Sequence, residues 1–238
     1  MNAETVKEEE YLSIRDLAKN YKMTEISLKK FVEENNIVTE VIKGKNLIHV
    51  RSFDRWMASH IKNLPVSDLE SIEMDEKKQM IQIHPLLSEN RVIFNPPDLT
   101  KTHILKRLVT TLWESGVVKQ EDLKSILNAV IERERLCSTA IMDGVAIPHP
   151  RSSMEEYIKE PVLVLAISKR GIHFESDDGK PTNLFFFICA NRTDIHLKVM
   201  ARLSRLLRSA KFRYELMISE DFDQVLKVFK SWEEKLGE

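Results

Sequence analysis

Two nearly continuous apolar runs, residues 161–168 (PVLVLAIS) and 184–190 (LFFFICA), constrain the fold of this chain more than any other feature. Each run has the length of a strand and is far shorter than the ~20 residues that a membrane span requires. Strands without alternating polar residues are typical of the middle of a sheet that helices cover on both faces. The two runs therefore predict a buried sheet and no insertion into a membrane.

Helical patterns surround the two apolar runs. Residues 104–113 place their apolar side chains, including Trp113, on one face, and the pattern stops at Gly116, a residue type that suits the end of a helix. Residues 121–133 repeat this arrangement. The expected N-caps of two later helices are Thr193 or Asp194 and Ser219. From residue 84 to residue 238 the sequence thus predicts an α/β domain with about five strands and as many helices.

Residues 11–64 are predicted to form a second, smaller unit. Ser13, followed three residues later by Asp16, resembles a capping box at the start of one helix. A second helix is expected after Thr24, with Ile26, Phe31 and Val32 facing inward. The turn composition of Lys43-Gly44-Lys45-Asn46 predicts a β-hairpin, and a third helix is expected from Ser52. Residues 65–83, rich in Asp, Glu and Lys, are expected to be a solvated linker.

Overall composition excludes several classes of protein. The 36 Lys and Arg balance 37 Asp and Glu, so the net charge of −1 gives no global attraction to nucleic acid or anionic lipid. The acidic N-terminus lacks the features of a signal peptide. Cys137 and Cys189 lie far apart without the spacing of metal ligands, which argues against a disulfide scaffold or a structural zinc. We expect a cytoplasmic protein without a cofactor or metal.

The stretch 132–151 (ERERLCSTAIMDGVAIPHPR) carries the main candidate for chemistry, His149. The preceding proline stiffens the backbone at this histidine, and Asp143-Gly144 predicts a tight turn upstream. Phosphate oxygens are bound by guanidinium, hydroxyl and bare backbone amide groups. Candidate phosphate-binding groups near His149 are Arg133, Ser138, Thr139 and Gly144.

A second histidine, His196, follows the other apolar run and a short polar loop. It falls in the first turn of a predicted helix, where the helix dipole favours negative charge. One interpretation is a partly exposed residue with no chemical role. The other is a hydrogen-bond donor to an anion that is bound beside His149.

Residues 84–238 resemble the type-2 enzyme IIA domain of the phosphoenolpyruvate-dependent sugar phosphotransferase system, the mannitol/fructose and nitrogen-regulatory class. The resemblance rests on HPLLSENRVIF, on RE-x-x-x-ST-x-I-x-x-G-x-A-I-P-H from Arg133 to His149, and on HLKVMARLSRLL. It implies a mixed sheet flanked by helices. It also implies a histidine that accepts a phosphoryl group from a phosphorylated histidine carrier protein.

Within that family pattern, His149 matches the phosphoacceptor, His196 the second active-site histidine and Arg133 the arginine that flanks the phosphate. The sequence departs from the pattern at three positions: Ala140 and Met142 stand where the family usually has glycine, and Pro150 stands where it has alanine or glycine. We expect these departures to change loop shape or donor recognition. None of them removes a reacting group.

Residues 11–64 resemble the excisionase-like winged helix-turn-helix modules that bind DNA. They contain ten Lys or Arg and six Asp or Glu, a net charge of +4, which suits nucleic acid. The second helix alone, residues 24–36, has a net charge of −1. Docking on another protein is therefore an open alternative to DNA. The candidate DNA contacts are Lys29, Lys30, Lys43 and Lys45.

Three functions compete for the whole chain. The first is a regulatory phosphocarrier, similar to the nitrogen-regulatory class, whose N-terminal module binds DNA or a target protein. The second is a sugar-transport component that relays phosphate to a membrane permease. The third, a hydrolase using Cys189 with His149, is poor because Cys189 lies in an apolar strand without an electropositive setting.

Overall fold

The computed structural model describes residues 11–20, 25–34, 37, 39–42, 44–49, 81–97, 100–136, 138–141, 143–150, 154–176 and 178–237. The chain divides into two compact units, Met1–His60 and Ile61–Glu238. In the described parts of both units, no helix has the length and apolar character needed to cross a bilayer.

The N-terminal unit combines two helices with a small antiparallel sheet. Its described elements are β1 (Tyr11–Ser13), α1 (Ile14–Asn20), α2 (Glu25–Glu34), β2 (Thr39–Ile42) and β3 (Lys45–His49). The strand order is β1-β3-β2, with both pairings antiparallel. One residue from each helix and one from the central strand are fully buried and form the core: Leu17, Leu28 and Ile48.

Some of the local predictions for this unit are confirmed, and one is wrong. The Ser13 hydroxyl accepts a hydrogen bond from the Asp16 amide at 3.1 Å and donates one to the Asp16 carboxylate at 2.6 Å, which confirms the predicted helix start. Gly44 adopts a φ of 76° in the loop between β2 and β3. Ile26, predicted to face inward, is instead 82% exposed. The buried face of α2 is formed by Leu28 and Val32, which are one turn apart.

Several predicted features fall outside the described residues. They are the cap at Thr24, Lys43 of the hairpin turn, the helix expected from Ser52, and residues 65–80 of the expected linker.

The C-terminal unit is built on a four-stranded mixed sheet. Its strands are β4 (Val92–Phe94), β5 (Val145–Ala146), β6 (Val162–Ile172) and β7 (Thr182–Cys189), in the order β4-β6-β7-β5. β6 and β7 pair antiparallel, whereas β4 runs parallel to β6 and β5 runs parallel to β7. The mixed α/β fold expected for this part of the chain is confirmed.

Helices cover both faces of this sheet. They are α3 (Lys101–Glu114), α4 (Leu123–Leu136), α5 (Thr193–Leu207), α6 (Ala210–Ile218) and α7 (Phe222–Gly237). Val164 and Ala166 of β6 belong to one hydrophobic cluster with side chains of α3 and α4. Leu163 and Leu165 point to the opposite face and are fully buried there as well, and α6 contacts both central strands. Double coverage explains why the two central strands carry apolar residues at successive positions.

Details of the elements differ from the sequence-based expectations. β6 extends four residues past the apolar run to Ile172, with an irregular register between Ile167 and Ile172. Asp221, rather than Ser219, caps α7, because its carboxylate accepts from the Gln224 amide at 2.8 Å. Arg192, rather than Thr193 or Asp194, occupies the N-cap of α5, and its side chain does not cap the helix. Trp113 is 40% exposed, because its side chain falls outside the buried face of α3.

Candidate functional site

The parallel pairing of β5 with β7 determines where His149 lies. Backbone hydrogen bonds continue past the short β5: the Ile188 amide donates to the Pro148 carbonyl at 3.0 Å. His149 therefore follows the carboxyl end of one strand, beside the carboxyl end of its parallel neighbour. That neighbour, β7, leads through a short loop into α5, which carries His196. Adjacent carboxyl ends of parallel strands are a recurrent place for binding sites in α/β proteins.

Three of the candidate residues meet at this edge of the sheet. The ring centroids of His149 and His196 are 5.0 Å apart, with the ring planes tilted by 45°. Arg133, in the last turn of α4, is 3% exposed and donates its Nε–H to Nε2 of His149 at 3.3 Å. The fold thus gathers into one cluster two histidines and an arginine from three separate segments.

The hydrogen bonds of His149 define its tautomer. Its Nδ1 lies 2.7 Å from the Ile147 carbonyl oxygen, which can only accept, so Nδ1 carries the proton. Nε2 then holds the lone pair, in agreement with the hydrogen bond that it accepts from Arg133. A neutral imidazole with its lone pair on Nε2 becomes a nitrogen nucleophile once Arg133 moves off that nitrogen.

The surroundings keep both histidines uncharged. Burial lowers the pKa of His149 well below its usual value, and the positive charge of Arg133 and the neighbouring His196 lower it further, against the opposing effect of the Ile147 carbonyl. Burial, followed by Arg133, lowers the pKa of His196 to about 4. At pH 7 both rings are therefore neutral, and Arg133 supplies the positive charge of the cluster.

Comparison with known families identifies this domain. Residues 85–232, more than half of the chain, match the family described as "Phosphoenolpyruvate-dependent sugar phosphotransferase system, EIIA 2". The chain belongs to this family. The resemblance seen in its motifs is thereby confirmed for the C-terminal part, while the winged helix-turn-helix resemblance of the N-terminal part stays a prediction.

Relatives of this EIIA 2 chain carry both transport and regulatory names. The "PTS system fructose-specific EIIABC component" of Bacillus subtilis (strain 168) is 31% identical over 150 residues, which is 62% of this chain and 23% of that protein. A "Nitrogen regulatory protein" of Bradyrhizobium diazoefficiens is 36% identical over 107 residues, 44% of this chain and 68% of that protein. The chain thus spans about a quarter of the length of the Bacillus relative.

Solved structures share the fold of the EIIA 2 domain. The crystal structure of nitrogen regulatory protein IIA-Ntr from Neisseria meningitidis superposes with a TM-score of 0.55 at 23% identity and covers 62% of this chain and 98% of that one. The crystal structure of IIA mannitol from Escherichia coli gives a TM-score of 0.52 at 21% identity, covering 60% and 98%. At these identities the likeness shows the fold alone.

The hydroxyls proposed to bind phosphate already have partners in the EIIA 2 domain. Ser138 donates to the Phe174 carbonyl at 2.7 Å. Thr139 is 3% exposed and donates its hydroxyl to the Glu134 carboxylate at 2.6 Å. Both hydroxyls therefore connect segments of the domain, and neither is hydrogen-bonded to the histidine pair.

Gly144 lies away from His149 in the structure, at the opposite end of β5. Its carbonyl accepts from the amides of Asn183 and Leu184 at 2.8 and 2.9 Å, at the amino end of β7. Five residues of extended chain separate it from His149, a distance of roughly 16 Å. The expected tight turn is present, with φ values of 53° at Asp143 and 74° at Gly144. A Cβ at Gly144 would lie 3.0 Å from the Asn183 amide oxygen, so glycine is required by the turn rather than by an anion.

The sequence did not predict two groups of the site, the Ile147 carbonyl and the Glu134 carboxylate. The Ile147 carbonyl, which fixes the tautomer of His149, is a backbone group and leaves no signal in the sequence. Glu134 was visible as the neighbour of Arg133 in the RE motif, yet its partner Thr139 becomes evident only from the fold.

The described residues also bear on the other chemistries. They contain no group of three or more His, Cys, Asp or Glu side chains that could hold a metal ion. Burial raises the pKa of the Cys189 thiol to about 12, so this cysteine cannot act as a thiolate nucleophile near neutral pH.

The candidate DNA contacts in the N-terminal unit are described only in part. Lys29 on α2 and Lys45 on β3 are exposed. The side chain of Lys30 and the whole of Lys43 lie outside the described residues. Exposed Glu25 and Glu33 share α2 with Lys29, which leaves the described surface of this helix without a net positive charge.

The lowered histidine pKa values predict how stability depends on pH. Unfolded histidines bind protons near pH 6.5, whereas folded His196 binds one only near pH 4. The unfolded state thus holds more protons between these values, so the free energy of unfolding falls as the pH drops from 6.5 to 4 and levels off above 6.5. One such histidine contributes at most about 1.4 kcal/mol per pH unit. Urea denaturation, followed by NMR signals of the C-terminal unit, should give a flatter pH dependence for His196→Gln; a curve parallel to the wild type would contradict the prediction.

Proposed function

We propose that this chain is a regulatory phosphocarrier that accepts a phosphoryl group on Nε2 of His149 from a phosphorylated histidine carrier protein. The observation that carries the proposal is the neutral His149 ring, whose Nε2 lone pair lies 3.3 Å from the Arg133 guanidinium, with His196 beside it. Phosphoryl transfer needs an in-line nucleophile and positive groups for the phosphoryl oxygens, with little other covalent chemistry.

The transfer step balances with the groups present. The Nε2 lone pair of His149 forms a bond to phosphorus while the bond from phosphorus to the donor histidine breaks, and that electron pair returns to the donor ring. The accepting ring becomes electron-poor, and its Nδ1–H stays hydrogen-bonded to the Ile147 carbonyl, which stabilises the positive charge. No proton has to be removed from His149 before it attacks.

Arg133 changes partner during this step. Its Nε–H occupies the Nε2 lone pair in the unphosphorylated protein, so it moves off that nitrogen as the P–N bond forms. The phosphoryl oxygens then offer it a charge-assisted contact that is stronger than its bond to a neutral imidazole. We propose that His196, whose ring centroid is 5.0 Å from that of His149, donates a hydrogen bond to the same oxygens.

Phosphorylation of the purified chain by a phosphorylated histidine carrier protein tests the assignment. His149→Ala should abolish the modification, whose product should be acid-labile and base-stable. Arg133→Ala and His196→Ala should fold and still be modified, but slowly. Losing one contact to the developing charge typically costs about 2–4 kcal/mol, or roughly thirty- to a thousand-fold in rate.

A matched control replaces His173, an exposed histidine near the end of β6. His173→Ala should be phosphorylated at the wild-type rate. Wild-type accumulation of phosphate in His149→Ala would refute the phosphoacceptor assignment. Rates within threefold of the wild type for both Arg133→Ala and His196→Ala would reduce those residues to structural roles.

The main alternative is a sugar-transport component that relays the phosphoryl group to a membrane permease. Relatives named for fructose transport favour it, including a "PTS system fructose-specific EIIA component" of Haloferax volcanii that is 31% identical over 134 residues, 56% of this chain and 84% of that protein. The additional N-terminal unit of this chain favours regulation instead.

Membrane vesicles separate these two functions. We expect the ³²P-labelled chain to transfer no label to sugar in vesicles that contain the sugar permeases of the same cell. A fructose-specific transport component run in parallel serves as the positive control. Transfer of label to a sugar at a rate comparable to that control would establish the transport function.

For the N-terminal unit we propose a binding role that responds to the state of His149. Its element order of a strand, two helices and a β-hairpin supports this proposal, as do exposed Lys29 and Lys45. Exposed Ile26 and the glutamates of α2 are unfavourable beside DNA phosphates and leave a target protein as the other partner.

Fluorescence anisotropy with duplex DNA tests this role on the full chain. We expect weak binding with a log–log salt slope of about −4, from four phosphate contacts, and weaker binding by Lys29→Ala and Lys45→Ala. Phosphorylation should change the affinity, because it adds about −1.5 to −2 charges at pH 7. Absence of binding at low salt would leave docking on a target protein as the role of this unit.

A further inference from the structure

A buried carboxylate lies directly next to the arginine of the site. Glu134 is 5% exposed, and both of its oxygens accept from Thr139, one from the amide at 2.9 Å and one from the hydroxyl at 2.6 Å. This bidentate contact links the end of α4 to the segment that follows it. The chemistry of phosphoryl transfer described above makes no use of Glu134.

Thr139 in turn is connected to His149 through the backbone. The Thr139 carbonyl accepts from the Ile147 amide at 3.0 Å, and the Ile147 carbonyl holds Nδ1 of His149 at 2.7 Å. Since Arg133 precedes Glu134 in the chain and contacts Nε2 of His149, the contacts form a closed ring. Its members are Arg133, Glu134, Thr139, Ile147 and His149.

Lys101 compensates the charge of the buried carboxylate. Its Nζ lies 3.0 Å from Glu134 Oε1 and 2.8 Å from Glu175 Oε2, and it sits 4.9 Å from the centre of the Phe174 ring. A buried carboxylate without a cation would be strongly unfavourable. The Lys101 contact therefore stabilises the charged Glu134 carboxylate, which connects the end of α4 to Thr139 in the segment that leads to His149.

We propose that Glu134 is a positioning residue for phosphoryl transfer: its carboxylate, clamped on Thr139, holds Arg133 in register with Nε2 of His149. The inference rests on the proposed phosphocarrier function. Both oxygens of Glu134 are engaged by Thr139, and the proton on His149 is already fixed by Ile147, so Glu134 acts through geometry and not as an acid or base. A displacement near 1 Å at a reacting group is enough to slow a reaction by about 100-fold.

Three substitutions isolate the clamp. Glu134→Gln keeps the shape of the side chain but presents an NH₂ group to one of the two Thr139 donors. Thr139→Val removes only the hydroxyl that donates to Glu134, and Thr139→Ser retains it. The matched control is Glu175→Gln, which alters the other carboxylate partner of Lys101, 68% exposed, and leaves the contacts between Glu134 and Thr139 in place.

Two readouts are measured on the full chain. The first is the rate of phosphorylation by a phosphorylated histidine carrier protein, which should fall about 10- to 100-fold in Glu134→Gln and Thr139→Val. Thr139→Ser should recover most of that loss, and Glu175→Gln should stay within twofold of the wild type. The second is the NMR titration of the His149 ring, which needs no phosphoryl donor. Because Arg133 lowers the pKa of His149, a displaced Arg133 should move that pKa upward in the two impaired variants.

These readouts separate the possible outcomes. Wild-type phosphorylation rates in Glu134→Gln and Thr139→Val, whatever their melting temperatures, would overturn the positioning role and leave Glu134 a structural residue. Slow phosphorylation with an unchanged His149 titration would also overturn it, because Arg133 would not have moved. If the wild type itself accepts no phosphate, the phosphocarrier function fails, and the titration still decides whether Glu134 positions Arg133.

Discussion

The parallel pairing of β5 with β7 is the constraint on which the site depends. β5 is only two residues long and lies at an edge of the sheet, yet its register with β7 extends through the hydrogen bond between Ile188 and Pro148. A proline is tolerated there because an edge position places few demands on the backbone N–H that it lacks. The pairing sets the chain direction at His149 and brings it beside the start of α5. Without this register the two histidines, 47 positions apart in the sequence, would have no reason to meet.

The proposed phosphoryl transfer would change the electrostatics of the site. In the free protein the buried Arg133 guanidinium donates its Nε–H to a neutral imidazole. A phosphoryl group on Nε2 would place its negative oxygens against the same guanidinium in a setting with little water, where charge pairing is stronger than in solvent. Interactions that are realised only as the reaction proceeds accelerate it, whereas those already complete in the ground state do not. The low pKa of His149 and the buried Arg133 are therefore two consequences of one arrangement.

Sequence patterns predicted the parts of the fold that depend on local signals, such as caps and turns, or on the pattern of apolar and polar residues. The apolar runs gave the central strands, and the Ser13–Asp16 cap and the Asp143-Gly144 turn are present. His149, His196 and Arg133 came from a family motif, and the structure brings them together. The structural contacts of Gly144, Ser138 and Thr139 could not be inferred from the sequence. Residues that are close in sequence lie far apart where the chain is extended. Their partners, Asn183, the Phe174 carbonyl and Glu134, are set by tertiary structure.

The position of His196 is fixed by the core rather than by the loop that precedes it. Every residue of α5 from 198 to 207 is buried, including three cations: Lys198, Arg202 and Arg205. Arg202 lies 3.7 Å from the buried carboxylate of Glu233 on α7 and donates to the Glu233 carbonyl at 3.1 Å. A buried pair of this kind adds little net stability, but it is costly to break once it has formed. A sliding or rotation of α5 would separate them. Since His196 lies six residues, about 9 Å, from Arg202 on the same helix, a shift of α5 that moved His196 would also disturb this buried pair.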